Sequence, residues 1–232
     1  MKRKRSSSQT RTVKVRKKAA PKTMTAQRRL IRRMILKTTE TKYKTIALDK
    51  EEIYHNKLYN FSKNLLEVFP SQGTGDGARE GDEIVTTGMK VRMILGQKSD
   101  RPNVSYKVWV VHYDDSTSGN AITYGNFFHN VTGNGMLDAV QNKRFKVLKA
   151  FTIKSKGTTI EAGETSKEFV RPVKFWIPFK KKLKFVSDAS NKASNILPQM
   201  NVIVLPYDAY GTLGTDNIAY MQGSCTLYYK DP

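Results

Sequence analysis

From Tyr43 onward apolar and polar positions alternate with a period of two, the pattern of strands that bury one face. The alternation predicts strands over 43–61, 84–96, 104–114, 144–155, 167–186, 199–207 and 218–230, all rich in Val, Ile, Tyr, Phe or Trp. Turn-forming stretches separate them at Pro70–Asp82, Asp114–Asn120 and Gly211–Asp216. Tyr124–Val131, Met136–Asn142 and Asp188–Leu197 read as short helices within connections. In Lys107–Tyr113, Val108, Val110 and His112 take one face and Trp109, Val111 and Tyr113 the other. Both faces are bulky, which predicts a central strand with one face against a second sheet. Val173–Phe179 is similarly apolar, and Lys180, Lys181, Lys182 and Lys184 mark where its burial must stop. Long strands with long, unequal connections fit a jelly roll better than a meander. No internal repeat is visible.

Ahead of these strands the period changes. Over Met24–Lys37, Leu30, Ile31, Met34 and Ile35 recur at helical spacing, with Arg28, Arg29, Arg32 and Arg33 between them and Thr25 as an expected cap. Such a basic amphipathic helix can lie on a membrane, or pack its apolar face under a protein shell while its arginines face nucleic acid. A frayed arm is the third reading. Residues 1–23 are polar, basic and rich in Ser and Thr, a composition expected to stay disordered. The expected organisation is an arm over 1–41, largely disordered or partly helical, and a β domain over 42–232.

Charge sharpens this division. The first 39 residues hold fifteen cations and no acid: Lys2, Arg3, Lys4, Arg5, Arg11, Lys14, Arg16, Lys17, Lys18, Lys22, Arg28, Arg29, Arg32, Arg33 and Lys37. Glu40–Pro232 holds 26 basic and 20 acidic residues, so most of the net +21 sits at one end. A one-ended charge of this size calls for a polyanion, and nucleic acid is the expected partner. The clusters Lys2–Arg5, Lys14–Lys18 (Lys14, Arg16, Lys17 and Lys18) and Arg28–Arg33 also fit nuclear import signals. Cys225 is the single cysteine, so no intrachain disulfide can form, and a reducing compartment suits the chain. No apolar run reaches the ~18 residues of a membrane span, and no apolar signal-peptide core follows the first charges.

Candidate chemistry is sparse. Gly73-Thr-Gly-Asp-Gly-Ala-Arg-Glu-Gly looks like a phosphate-cradling loop, but Asp76, Glu80, Asp82 and Glu83 would repel the ligand and strand-like residues follow, so a flexible surface turn is expected. Asp114 and Asp115 near His112 form only a local pair, short of the converging oxygens that a hard cation needs, and a strand-ending turn is the better reading. A divalent ion at a subunit boundary is the minor alternative. His55, His112 and His129 stand in unrelated contexts, and Cys225 reads as a small buried side chain. No nucleophile elbow or zinc-ligand spacing occurs. Neither catalysis, nor a cofactor, nor a metal is expected. Asn103-Val-Ser and Asn130-Val-Thr match a glycosylation pattern without a secretory context. Phe179-Lys-Lys-Lys-Leu-Lys-Phe is a candidate second basic patch through Lys180, Lys181, Lys182 and Lys184, its rings stacking on bases. The competing reading is an edge whose lysines prevent strand pairing.

Several segments together resemble a known family. Arg79-Glu-Gly-Asp-Glu-Ile with Gly88-Met-Lys-Val-Arg, then Asn142-Lys-Arg-Phe-Lys-Val-Leu-Lys-Ala-Phe, Val173-Lys-Phe-Trp-Ile-Pro-Phe and Gly223-Ser-Cys-Thr-Leu-Tyr-Tyr-Lys-Asp resemble, in order, stretches of the capsid proteins of circular, Rep-encoding single-stranded DNA viruses, the circovirus and geminivirus assemblage. The zinc pattern that some geminiviral members carry near the arm is missing here. The resemblance implies a single eight-stranded jelly roll of two packed antiparallel four-stranded sheets. It further implies sixty copies in a T=1 icosahedral shell around a circular single-stranded DNA genome. Virion and host nucleus would be its locations, and host importin and an unidentified cell receptor its further partners. The rival reading is a cellular, sequence-tolerant nucleic-acid-binding β-sandwich protein. A membrane-active protein working through residues 24–37 is a third.

Overall fold

The computed structural model describes residues 24–98, 100–101, 103–114, 122–129, 131–155, 169–186, 192–197, 199–209 and 213–232. The chain divides into two units, one ending at Thr38 and one running from Thr39 to Pro232. In the first, Met24–Thr38 is a helix, α1. Thr25 is its second residue and so lies inside the helix, where a capping role does not apply. The second unit holds the strands β1 (Thr41–Tyr54), β2 (Tyr59–Asn60), β3 (Glu83–Gln97), β4 (Val104–Tyr113), β5 (Phe128–His129), β6 (Ala139–Val140), β7 (Phe145–Lys154), β8 (Phe169–Ile177), β9 (Lys182–Lys184), β10 (Gln199–Asp208) and β11 (Asn217–Lys230).

Two antiparallel sheets form, one in the order β1-β11-β3-β8 and one in the order β2-β10-β4-β7, with β9 continuing on β3 beyond β8. Apart from the small β5–β6 hairpin, and with β8 and β9 taken as one broken strand, these are eight strands, and consecutive ones pass between the sheets except β4 and β7, which pair within one sheet. The first strand neighbours the last, the second the seventh, the third both the sixth and the eighth, and the fourth both the fifth and the seventh. That connectivity is a jelly roll. Its interior follows from the period-two pattern. Met89, Val91, Met93 and Leu95 of β3 meet Val108 and Val110 of β4, Val202 and Val204 of β10, and Met221, Cys225 and Leu227 of β11. Strand β4 lies between β10 and β7 and is buried on both faces. Its Trp109, Val111 and Tyr113 join Ile203 and Leu205 in a second cluster, roofed by Ile122, Phe127, Phe128 and Phe145.

The structure departs from the sequence reading at five places. The candidate strand 43–61 breaks at Asn56, whose φ of 51° turns the chain between the sheets. The candidate 167–186 breaks after Ile177, where Pro178 cannot donate to a ladder. Residues 136–142 are a turn leading into β6, and 192–197 form bends with one bridge, Phe185 to Ala193, where helices were expected. In the first, Asp138 overrides helix by accepting from the Thr132 backbone (2.9 Å) and hydroxyl (2.8 Å) and from the Tyr124 hydroxyl (2.8 Å). Finally, the glycine-rich loop is anchored along its second half. Arg79 is fully buried, donates to the Gly81 carbonyl at 2.6 Å and lies 4.3 Å from the Phe185 ring. The Tyr229 hydroxyl donates to the Ala78 carbonyl, Glu80 N–H to Asp231, and Lys42 pairs with Glu80 at 2.8 Å. Gly77, at φ 74°, passes so close to Tyr43 that a Cβ would stand 2.8 Å from its carbonyl oxygen.

Candidate nucleic-acid interface

The cations proposed from sequence fall into two sets. Of the N-terminal fifteen, Lys2, Arg3, Lys4, Arg5, Arg11, Lys14, Arg16, Lys17, Lys18 and Lys22 lie outside the described residues, and with them the clusters Lys2–Arg5 and Lys14–Lys18. Arg28, Arg29, Arg32, Arg33 and Lys37 stand on α1. At about 100° per residue the four arginines share one face and Leu30, Ile31, Met34 and Ile35 the opposite one. None of the helix's side chains is buried. Arg28 with Arg32, and Arg29 with Arg33, are like charges at i,i+4, each pair costing the isolated helix about 0.2–0.5 kcal/mol. An anion on that face relieves both. Lys37 sits in the last turn, where the helix dipole favours a cation, and the Thr38 hydroxyl donates to the Ile35 carbonyl at 2.9 Å.

The second set, Lys180–Lys184, is built differently from the sequence reading. Phe179 and Phe185, which bracket it, are 4% and 5% exposed and pack against Phe69 with ring centroids 6.4 and 6.3 Å away. Neither ring is open to a base, so the expectation of aromatic stacking there is overturned. The backbone is pinned where Thr86 N–H donates to the Lys181 carbonyl and Lys181 N–H donates to Thr86 Oγ1, both at 2.9 Å. Lys182 pairs with Glu83, and Lys184 lies 3.8 Å from the same carboxylate. Lys180 and Lys181 remain exposed.

The other candidates resolve into structural roles. His112 is 4% exposed and its Nε2–H donates to the Leu197 carbonyl at 3.1 Å. Burial, helped by Lys181 and Lys146 and opposed by that carbonyl, holds its pKa below the ordinary value. Asp114 follows the end of β4, and Asp115 lies outside the described residues. Cys225 is buried between the sheets, where burial pushes its thiol up to about 12.

Sequence reasoning missed a third group of cations. Lys90 and Arg92 on β3 and Lys174 on β8 all face away from the interior, Arg92 and Lys174 directly in register. Trp176 stands opposite Lys90 on the same face. The signal was the alternation itself: Lys90-Val-Arg92 and Lys174-Phe-Trp176 place three cations and a ring on whichever face Val91 and Phe175 do not take.

No family model matches the chain, and no curated protein matches it. Among solved structures it is similar to a chain of the T13 IBDV viral particle, at a TM-score of 0.35 and 9% identity, over 82% of this chain and 31% of that one. This chain therefore spans under a third of the length of the protein it matches. A likeness that loose says nothing of this chain's role.

Proposed function

We propose that the chain is a major viral capsid protein that self-assembles into a small icosahedral shell and packages single-stranded DNA through its basic N-terminal segment. What carries the reading is one juxtaposition: a complete eight-stranded jelly roll joined to 39 residues with fifteen cations and no acid. The mechanism is electrostatic and geometric. The arm neutralises phosphates and releases their counterions, while the jelly roll meets its neighbours around the symmetry axes. Sixty copies in a T=1 shell would bring about 900 arm charges to a circular genome. Binding is sequence-tolerant, because phosphate contacts carry no base information. The clusters Lys2–Arg5 and Lys14–Lys18 would also serve nuclear import, which places the protein in the host nucleus before the virion forms. No catalytic step belongs to this mechanism. Negative-stain electron microscopy of the full-length protein tests it: uniform closed shells are expected. Monomers or irregular aggregates at low and high salt, with single-stranded DNA present, would favour a cellular nucleic-acid-binding β-sandwich.

A further inference from the structure

The outward face of the β1-β11-β3-β8 sheet carries an unusual combination for a solvent-facing sheet. Lys90 and Arg92 alternate along β3 and so stand about 7 Å apart. Lys174 of the neighbouring β8 is the register partner of Arg92. The outward positions of β3 from Gly88 to Gly96, with their register partners on β11 and β8, include no carboxylate. Glu52 of β1 faces out only at the far end, opposite Tyr220. The three cations accordingly repel one another: Arg92 first, then burial, then Lys174 lower the Lys90 pKa.

Beside them runs a ladder of rings. Trp176, 43% exposed, lies 5.6 Å from Tyr228, which lies 6.3 Å from Tyr43, itself 64% exposed. Gly88 makes room for the indole, since a Cβ there would stand 2.0 Å from its ring. Beside Arg92 and Lys174, on the side away from Lys90, Ile94, Pro172, Gln222 and Ser224 line a shallow depression of about 420 Å³. A second copy of the chain laid on this face would bring like charges together. A polyanion with flat apolar rings matches both halves of it.

We propose that this face is a second single-stranded nucleic-acid site, in which Lys90, Arg92 and Lys174 hold successive phosphates and Trp176, flanked by Tyr228, stacks on a base. Cations spaced along an extended groove next to exposed aromatic faces are what an unpaired strand requires, whereas a duplex hides its bases. The ligand class rests on the nucleic-acid role proposed above, but the site uses none of the fifteen N-terminal cations.

The two tryptophans make the test direct, because Trp109 is only 2% exposed and Trp176 is open. The full-length protein is titrated with labelled oligothymidylate or oligouridylate of about 15 nucleotides, and with heparin, a polyanion without bases. Label anisotropy reports binding anywhere on the chain, and tryptophan emission reports this face. Either oligonucleotide should quench the share of emission that Trp176→Phe removes, the stronger one naming the preferred sugar, and heparin should not. Joint replacement of Lys90, Arg92 and Lys174 by Gln should lower the salt slope of the quenching titration by about 2, at roughly 0.7 per phosphate contact. Saturated anisotropy with unchanged emission would overturn the site and leave the arm intact. Equal quenching by heparin, or a triple variant with the native isotherm, would overturn it too. Flat anisotropy and flat emission together would remove the arm as well.

Discussion

At the scale of single residues, two imidazoles couple this fold to pH. His112 donates from Nε2 to the Leu197 carbonyl, while His55 Nδ1 accepts from the Asp208 N–H at 3.1 Å, so protonation there breaks a bond. Burial is the main cause that lowers the His55 pKa; Asp208 opposes it, Arg101 adds to it and Asp216 opposes it. Both groups therefore hold protons less tightly folded than unfolded. Stability is full above the unfolded value of 6.5 and falls as pH drops through it. Glu80 and Asp138 are depressed carboxylates: Lys42 lowers the first, and bonds from Thr132 and Tyr124 outweigh burial at the second. Their stabilisation is lost as pH falls from the ordinary carboxylate values of 4.5 and 3.8 downward, in a separate window. The urea midpoint is expected to fall between about pH 7 and 5. The fall should flatten in a variant carrying His55→Gln with His112→Gln. A native slope in that double variant would show that other groups take up the protons. None of this was legible in the sequence, where three histidines in unrelated contexts offered no partner. The partners arrive from residues 85 and 153 positions away.

The elements were far more legible, and the misses have identifiable causes. Period-two alternation is a local property, so β3, β4, β7, β10 and β11 emerge within a residue or two of their predicted spans. The corner between β1 and β2 escaped because His55-Asn-Lys-Leu58 contains neither Gly nor Pro. Asn56 makes that corner through tertiary bonds: its Nδ2 donates to the Gly133 carbonyl at 3.0 Å, and Gly135 N–H donates to its Oδ1 at 3.1 Å. Asn tolerates positive φ better than other residues with a side chain, so one residue supplies both the turn and its latch. Asn56→Gly keeps the backbone and loses the latch, at about 1 kcal/mol; Asn56→Ala loses both, at about 2 kcal/mol. Chemical denaturation of the two variants should rank them in that order. Alanine proving no worse than glycine would mean that the φ of 51° is not held in solution. The rings of Phe179 and Phe185 failed as base-stacking candidates for a related reason. Adjacency to lysines in sequence says nothing of the face on which a strand places each residue.

On the scale of the whole molecule, the N-terminal charge and the core are segregated along the chain. Every sheet residue and both apolar clusters belong to Thr39–Pro232, and Lys230 donates to the Thr39 carbonyl at 2.8 Å within that unit. Deleting residues 1–37 takes away all fifteen N-terminal cations and no part of this core. The truncated protein should keep its cooperative thermal transition. Its affinity for single-stranded DNA should change in kind as well as in size. Fifteen phosphate contacts at roughly 0.7 each set an upper bound of about −10 on the N-terminal segment's share of the salt slope. Lys90, Arg92 and Lys174 alone would leave a slope near −2, about 0.7 for each contact. Packaging needs the steep term, because weak contacts on a sheet face cannot gather a genome against physiological salt. The truncated protein is therefore expected to form shells free of nucleic acid, seen by electron microscopy and by the ultraviolet absorbance ratio of purified particles. Filled shells would show that the arm is dispensable for packaging. An unfolded product would show that the two units depend on each other.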